Sequence, residues 1–263
     1  MEAGKKRRLG RIFQDDGRTV IVPMDHGVTI GPVTGLVNMQ EIIDNLQAGG
    51  VDAVVLHRGI AKHVDIMKAG LIVHLSGSTR LSTDPNTKVQ VCSVEEALKI
   101  GADAVSVHIN VGAQKEDRML EKLGKVADKC DKYSVPLLAM MYPRGPKVQS
   151  EHAPDLVAHA ARLGVELGAD VIKTNYTGNI ETFKEVVRAC NVPVIIAGGP
   201  KADTVREVLQ MACDSIDAGG SGLSIGRNVF QHKNSALMVK ALSAIVHHGA
   251  SVDEALKILG EPQ

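Results

Sequence analysis

Gly168-Ala169-Asp170-Val171-Ile172-Lys173-Thr174-Asn175 is the stretch from which the fold can be read. Glycine suits the left-handed cap that ends a helix, and the short β-branched run after it suits a buried strand of a parallel sheet. The phrase recurs at Gly49-Gly50-Val51-Asp52-Ala53-Val54-Val55-Leu56 and at Gly101-Ala102-Asp103-Ala104-Val105-Ser106-Val107, with a looser copy at Gly219-Gly220-Ser221-Gly222-Leu223-Ser224-Ile225. Further strand patterns lie at 19–22, 71–75, 135–141 and 192–197. Amphipathic helical stretches fill the intervals, including 119–133, 154–167, 180–190, 203–218 and 234–247. Asn38 and Ser93 stand three residues before Glu41 and Glu96, the spacing of a capping box. Roughly eight strand-then-helix units in 263 residues predict a (β/α)8 TIM barrel. The expected organisation is one domain over 1–263, with a short basic N-terminal extension at Lys5-Lys6-Arg7-Arg8. A doubly wound open sheet is the alternative. It calls for a glycine fingerprint after the first strand, where Asp25-His26-Gly27 stands instead.

Composition narrows the function classes. Thirty Lys plus Arg balance thirty Asp plus Glu, which leaves no electrostatic footprint for nucleic acid or an acidic membrane. No apolar run approaches bilayer length, and the basic start has no apolar segment after it, so neither a membrane span nor a signal peptide is expected. Cys92, Cys130, Cys190 and Cys213 are widely spaced and form no Cys-x-x-Cys pair, as expected of reduced thiols in a cytoplasmic protein.

Lys173 ends its apolar run, with Asp170 as the only acid close to it in sequence. A lysine desolvated at a strand end has a depressed pKa and becomes an amine nucleophile able to form a Schiff base. A barrel demands functional residues just after its strands. Here the expected strand ends carry Asp25-His26-Gly27, His57-Arg58-Gly59, His74-Leu75-Ser76-Gly77, His108-Ile109-Asn110, Tyr142-Pro143-Arg144-Gly145, Lys173, Gly198-Gly199-Pro200 and Gly226-Arg227-Asn228. The last two fit a phosphate site, with Gly198 and Gly199 allowing close backbone approach and Arg227 opening a short helix, Arg227–Phe230. Imine chemistry also needs a proton donor and a proton acceptor, for which the Tyr142 phenol and the Asp25 carboxylate are placed. His26, His57, His74 and His108 raise a rival, a zinc site assembled from separate strands, although lysine chemistry requires neither metal nor cofactor.

Met24-Asp25-His26-Gly27-Val28, Met141-Tyr142-Pro143-Arg144-Gly145, residues 173–178, Gly198-Gly199-Pro200-Lys201 and Gly226-Arg227-Asn228 together resemble the archaeal-type class I aldolase family. The resemblance covers nearly the whole chain. Residues 28–36, 74–79 and 108–112 resemble the branch of 2-amino-3,7-dideoxy-D-threo-hept-6-ulosonate synthases more than the fructose-bisphosphate branch. It implies Lys173 as the Schiff-base lysine, Asp25 as proton acceptor and Tyr142 as proton donor. It also implies substrate or phosphate contacts at His26, Gly27, Arg144, Gly198, Gly199, Gly226 and Arg227. The implied reaction belongs to the archaeal route to 3-dehydroquinate and aromatic amino acids. A 1-deoxy-2,5-diketohexose 6-phosphate donates a fragment to L-aspartate semialdehyde, in a homo-oligomer built as pentameric rings, single or paired into a decamer. Fructose 1,6-bisphosphate cleavage is the sister reading, and a non-catalytic sugar-phosphate sensor is a third.

Overall fold

The computed structural model describes residues 2–261. Ten strands form in chain order: β1 (Thr19–Pro23), β2 (Ala53–His57), β3 (Gly70–His74), β4 (Ser76–Gly77), β5 (Val89–Gln90), β6 (Ala104–Val111), β7 (Leu137–Pro143), β8 (Val171–Asn175), β9 (Val194–Ala197) and β10 (Gly222–Ser224). Eight of them, all paired in parallel, close in the order β1-β10-β9-β8-β7-β6-β3-β2. This is the expected (β/α)8 barrel. β4 and β5 form a small antiparallel hairpin outside the barrel, which the sequence patterns did not announce.

Strand side chains alternate between two faces, and the core divides accordingly. Ile21, Val55, Ile72, Ala104, Leu138, Met140, Val171 and Ile195 fill the barrel interior with Ile12. The residues between them, such as Val54, Val73, Val105, Met141, Ile172 and Ile196, pack outward against the helices. Continuing the inward set toward the carboxyl ends leads to Asp25, His57, His74, His108, Tyr142, Lys173 and Ser224. The same period-two rule that builds the core therefore aims the polar groups at one mouth.

The repeated glycine phrase has a second role at the opposite end. In three copies its aspartate grips one residue of the neighbouring strand with both backbone and side chain. Asp52 N–H donates to the Val20 carbonyl at 3.1 Å, and its Oδ2 accepts the Val20 N–H at 2.6 Å. Asp103 holds Leu71 in the same way at 2.8 and 2.9 Å, and Asp170 holds Leu137 at 2.9 and 2.9 Å. In the looser copy Ser221 keeps only the backbone half, donating to the Val194 carbonyl at 2.7 Å.

The basic extension laces these aspartates together. Its start is a helix, Ala3–Leu9, whose Lys5 is buried and donates to Asp131 at 2.5 Å and to Asp170 at 2.8 Å. Arg11 pairs with Asp103 at 2.7 Å, and Gln14 donates to Asp52 at 2.6 Å. Asp170, the one acid close to Lys173 in sequence, is thus committed to the barrel floor and is not its partner. No helix among the described residues is long and apolar enough to cross a membrane, and the four cysteines are free.

At Asp52 the floor is closed by His247, from the helix Ser235–His248. Its ring nitrogens lie 2.8 Å from Asp16 and 3.0 Å from Asp52, so satisfying both carboxylates requires a ring protonated on both nitrogens. Burial opposes that charge, but the two aspartates outweigh it and raise the His247 pKa above its ordinary value. A raised folded-state pKa contributes stability that is full below the unfolded value of about 6.5 and is lost as pH rises through the folded value. Thermal unfolding from pH 6 to 9 should therefore show a loss of stability in the parent that His247→Gln flattens. Parallel curves for the two proteins would show that the clamp carries no titrating charge.

Candidate active site

The inward polar groups converge on a cavity of about 280 Å³ at the carboxyl ends of the strands. Asp25, His26, Tyr142, Arg144, Lys173, Gly198, Gly199, Gly226 and Arg227 all line it. Gly27 follows His26 in the helix His26–Ile30; it is exposed, has open space where a side chain would point, and its carbonyl accepts the Gly31 N–H.

Lys173 is the middle residue of β8, registered between Met140 and Ile195, and is 5% exposed. Burial lowers its pKa to about 8; the Asp25 carboxylate pulls it upward and the Arg144 guanidinium pushes it down. At pH 7 a group titrating near 8 is about one-tenth neutral, against roughly one part in a few thousand for an ordinary lysine.

Asp25 follows β1 and faces this amine. His74 Nε2 lies 3.7 Å and His26 Nδ1 3.8 Å from its oxygens. Burial would raise the Asp25 pKa, yet the surrounding histidines and Lys173 hold it well below the usual carboxylate range. Burial also takes His74 down to about 4, so near neutrality the positive charge facing Asp25 is the Lys173 ammonium. Tyr142 responds in the opposite sense. It is 5% exposed, and burial raises its phenol above the ordinary value. The Arg144 guanidinium carbon stands 4.8 Å from its ring centroid, and the His108 ring meets it edge-on at 5.0 Å. The cavity therefore holds an ionised carboxylate, a protonated phenol and a partly neutral amine at the same pH.

The loops after β9 and β10 form a second feature. Arg227 donates to the Gly199 carbonyl at 2.8 Å, and Asn228 braces the loop through the carbonyls of Gly198 and Pro200 and the Ala202 N–H. Gly199 has φ +62° with open space where a side chain would point, whereas a methyl at Gly198 would strike Ile225. Gly198 is thus a packing requirement, and Gly199 supplies the close approach. Among the described residues, four buried side-chain polar atoms lack a partner, and three of them, His26 Nδ1, Ser224 Oγ and Arg227 Nε, belong to cavity-lining residues. Such atoms are unfavourable to leave unmet, and their gathering at one rim suits a polar, anionic guest.

Sequence reading missed Ser224, Lys88 and Asn175, which also line the cavity. Alternation along β10 points to Ser224 and along β8 to Asn175; Lys88 comes from the β4–β5 hairpin and has no such signal. His57, His74 and His108 all reach the cavity. Among the described residues, no three His, Cys, Asp or Glu groups stand in a metal-holding arrangement.

A model of the DeoC/LacD family of aldolases matches residues 19–232. The chain is 48% identical over 261 residues to the 2-amino-3,7-dideoxy-D-threo-hept-6-ulosonate synthase of Halobacterium salinarum, covering 98% of this chain and 97% of that one. It is 43% identical over 248 residues to the 2-amino-4,5-dihydroxy-6-oxo-7-(phosphonooxy)heptanoate synthase of Streptomyces griseus, covering 93% and 90%. Among solved structures, it resembles an archaeal fructose-1,6-bisphosphate aldolase whose catalytic lysine is covalently bound to the carbinolamine intermediate of the substrate. That match has a TM-score of 0.87 at 36% identity, over 92% of this chain and 99% of the other.

The electrostatics are open to direct titration. Reductive methylation of Lys173, followed by peptide mass across pH, should show half-maximal reactivity near pH 8. Arg144→Leu removes a repelling charge and should move the midpoint up, while Asp25→Asn removes the attracting carboxylate and should move it down. A midpoint near 10 in all three proteins would mean that the amine is not desolvated.

Proposed function

The chain belongs to the DeoC/LacD aldolase family, and from that membership we propose that it is a Schiff-base-forming transaldolase-type enzyme. Its substrates are a 1-deoxy-2,5-diketohexose 6-phosphate donor and L-aspartate semialdehyde, and its product is 2-amino-3,7-dideoxy-D-threo-hept-6-ulosonate. The observation that carries this reading is Lys173, a buried amine titrating near 8 in a cavity it shares with Asp25 and Tyr142. The non-catalytic sensor reading is set aside, because anion binding alone needs no depressed lysine.

The chemistry follows from the protonation states. The neutral Lys173 amine adds to the donor C2 carbonyl, and the carbinolamine loses water to give an iminium. That iminium is the electron sink, which removes any need for a metal. Asp25, ionised, accepts the proton of the C4 hydroxyl as the C3–C4 bond breaks and a three-carbon aldehyde phosphate departs. The remaining enamine attacks the aldehyde of L-aspartate semialdehyde. Tyr142, still protonated, supplies the proton taken up by the new alkoxide, water releases the product from Lys173, and the proton taken by Asp25 replaces the one Tyr142 gave up. The loops at Gly198-Gly199 and Gly226-Arg227 receive phosphate, and His26 and Arg144 flank the substrate. As the resemblance implies, the enzyme works in the cytoplasm as a homo-oligomer; exposed Val37, Met67 and Leu81 offer apolar surface for such contacts.

Fructose 1,6-bisphosphate cleavage is the second reading, favoured by the likeness to an archaeal fructose-bisphosphate aldolase. A substrate panel with product masses separates the two.

Borohydride plus the phosphorylated donor should add the donor's reduced mass to the Lys173 peptide, and Lys173→Ala should show neither adduct nor turnover. Tyr142→Phe keeps the amine and should still capture donor as imine or carbinolamine, while turning over about 10²–10⁴-fold more slowly. Near-parental turnover in Tyr142→Phe would assign the proton to another group.

Arg227→Ala removes a charge-assisted contact and should weaken donor binding by about 1.5–3 kcal/mol, with little effect on the acceptor. Equal losses for both substrates would make Arg227 a structural residue.

A further inference from the structure

Four cations line the cavity: Lys88, Arg144, Lys173 and Arg227. Two have a carboxylate to face, since Arg144 pairs with Glu151 at 2.7 Å and Lys173 looks onto Asp25. Lys88 and Arg227 are held only by neutral oxygens. Lys88 Nζ donates to Ser78 Oγ at 2.5 Å and to the Pro85 carbonyl at 3.0 Å, and Arg227 donates to the Gly199 carbonyl. One of the three Nζ–H groups of Lys88 remains unused.

The placement of Lys88 is built rather than incidental. Its carbonyl accepts the ammonium of Lys122, itself buried, at 2.9 Å. The hairpin that carries it is fastened to the barrel by the His108 N–H donating to Ser76 Oγ at 3.0 Å and by the Val91 N–H donating to the Leu75 carbonyl at 2.8 Å. Burial and the nearby Arg144 lower the Lys88 pKa and outweigh the Asp25 and Asp84 carboxylates that raise it, neither of which forms an ion pair with it. An anion at Nζ relieves both the burial and the like charge.

The barrel order separates the two unpaired cations. Lys88 stands over β3 and β6, and Arg227 follows β10, which lies three strands from β3 and four from β6 around the eight-strand cylinder. They face each other across the mouth, and β8 with Lys173 and β7 with Tyr142 occupy the arc between. The proposed reaction, on which this inference rests, brings two anionic substrates, one a phosphate and one a carboxylate. The phosphate matches the open glycine backbone at Gly199 beside Arg227. A carboxylate needs a point cation with an N–H to spare, which Lys88 provides, the Ser78 hydroxyl that holds it being spent on the Pro85 carbonyl at 2.9 Å. We propose that Lys88 holds the α-carboxylate of the amino-aldehyde acceptor, setting its aldehyde carbon beside Tyr142 for attack by the enamine on Lys173.

Steady-state kinetics of Lys88→Met with L-aspartate semialdehyde as acceptor, and with propanal, which has no carboxylate, test this directly. The KM for L-aspartate semialdehyde should rise roughly 10- to 100-fold, with kcat at saturation changed far less. Lys88→Arg should recover most of that loss. With propanal, Lys88→Met and parent should be alike, and borohydride with donor alone should trap the Lys173 imine equally in both. An unchanged KM for L-aspartate semialdehyde, or an equal loss with propanal, overturns the assignment. So does weakened trapping with donor alone, which would place the donor's phosphate at Lys88. A parent that traps no imine overturns the functional reading itself, whereas a parent that traps it beside a variant indifferent to the carboxylate overturns only the role of Lys88.

Discussion

The grip of Asp170 on the barrel floor is the interaction on which the active cavity depends. Its carboxylate accepts the Leu137 N–H and two hydrogen bonds from the buried Lys5 ammonium, which fixes β8 against β7 and ties both to the N-terminal helix. Three residues further on, at the middle of β8, Lys173 turns into the cavity at the carboxyl ends of the strands. Because Asp170 is already neutralised by Lys5 and lies on the floor, Lys173 has no local counter-ion and must be charged, if at all, against Asp25 across the interior. One attractive carboxylate, opposed by burial and by Arg144, leaves the amine near 8. Had the strand-adjacent acid been the partner, the ammonium would be held firmly charged and unable to add to a carbonyl.

The same geometry drives the carboxylate and the phenol apart. Desolvation penalises the charged form of each, so it would raise both pKa values. Asp25 escapes because it collects Lys173, His26 and His74 around it, whereas Tyr142 has only Arg144 to favour its anion and stays protonated. Two groups in one cavity thereby hold opposite protonation states at the same pH.

Much of this was legible in sequence, for a physical reason. Glycine caps, β-branched runs and strand-end polar residues are local signals, and the barrel aligns them because alternation along each strand aims every second side chain inward. That is why Lys173, Tyr142, Asp25 and Arg227 could be picked out before any coordinates. The extension at 3–9 reads as a solvated basic run because the partner that buries Lys5 lies 165 residues away. Lys88 escaped for a related reason: it stands on a hairpin whose two strands have two residues each, too short to leave a periodic pattern.

Charge is partitioned between the two ends of the barrel, and the partition itself separates scaffold from site. On the floor Lys5, Arg11 and His247 each meet carboxylates at 3.0 Å or less, so those charges are spent on holding strands and terminus together. At the mouth Lys88 and Arg227 form no ion pair among the described residues and stand beside polar atoms that have no partner. Pairing them internally would be the more stable arrangement, since an unmatched buried charge is destabilising. A fold that neutralises its cations at one end and leaves them open at the other has given up stability only where a guest of opposite charge can restore it. Two such openings about a single amine suit a reaction that handles two anionic substrates in turn, one bound to that amine as an imine and one attacked by the enamine carbon.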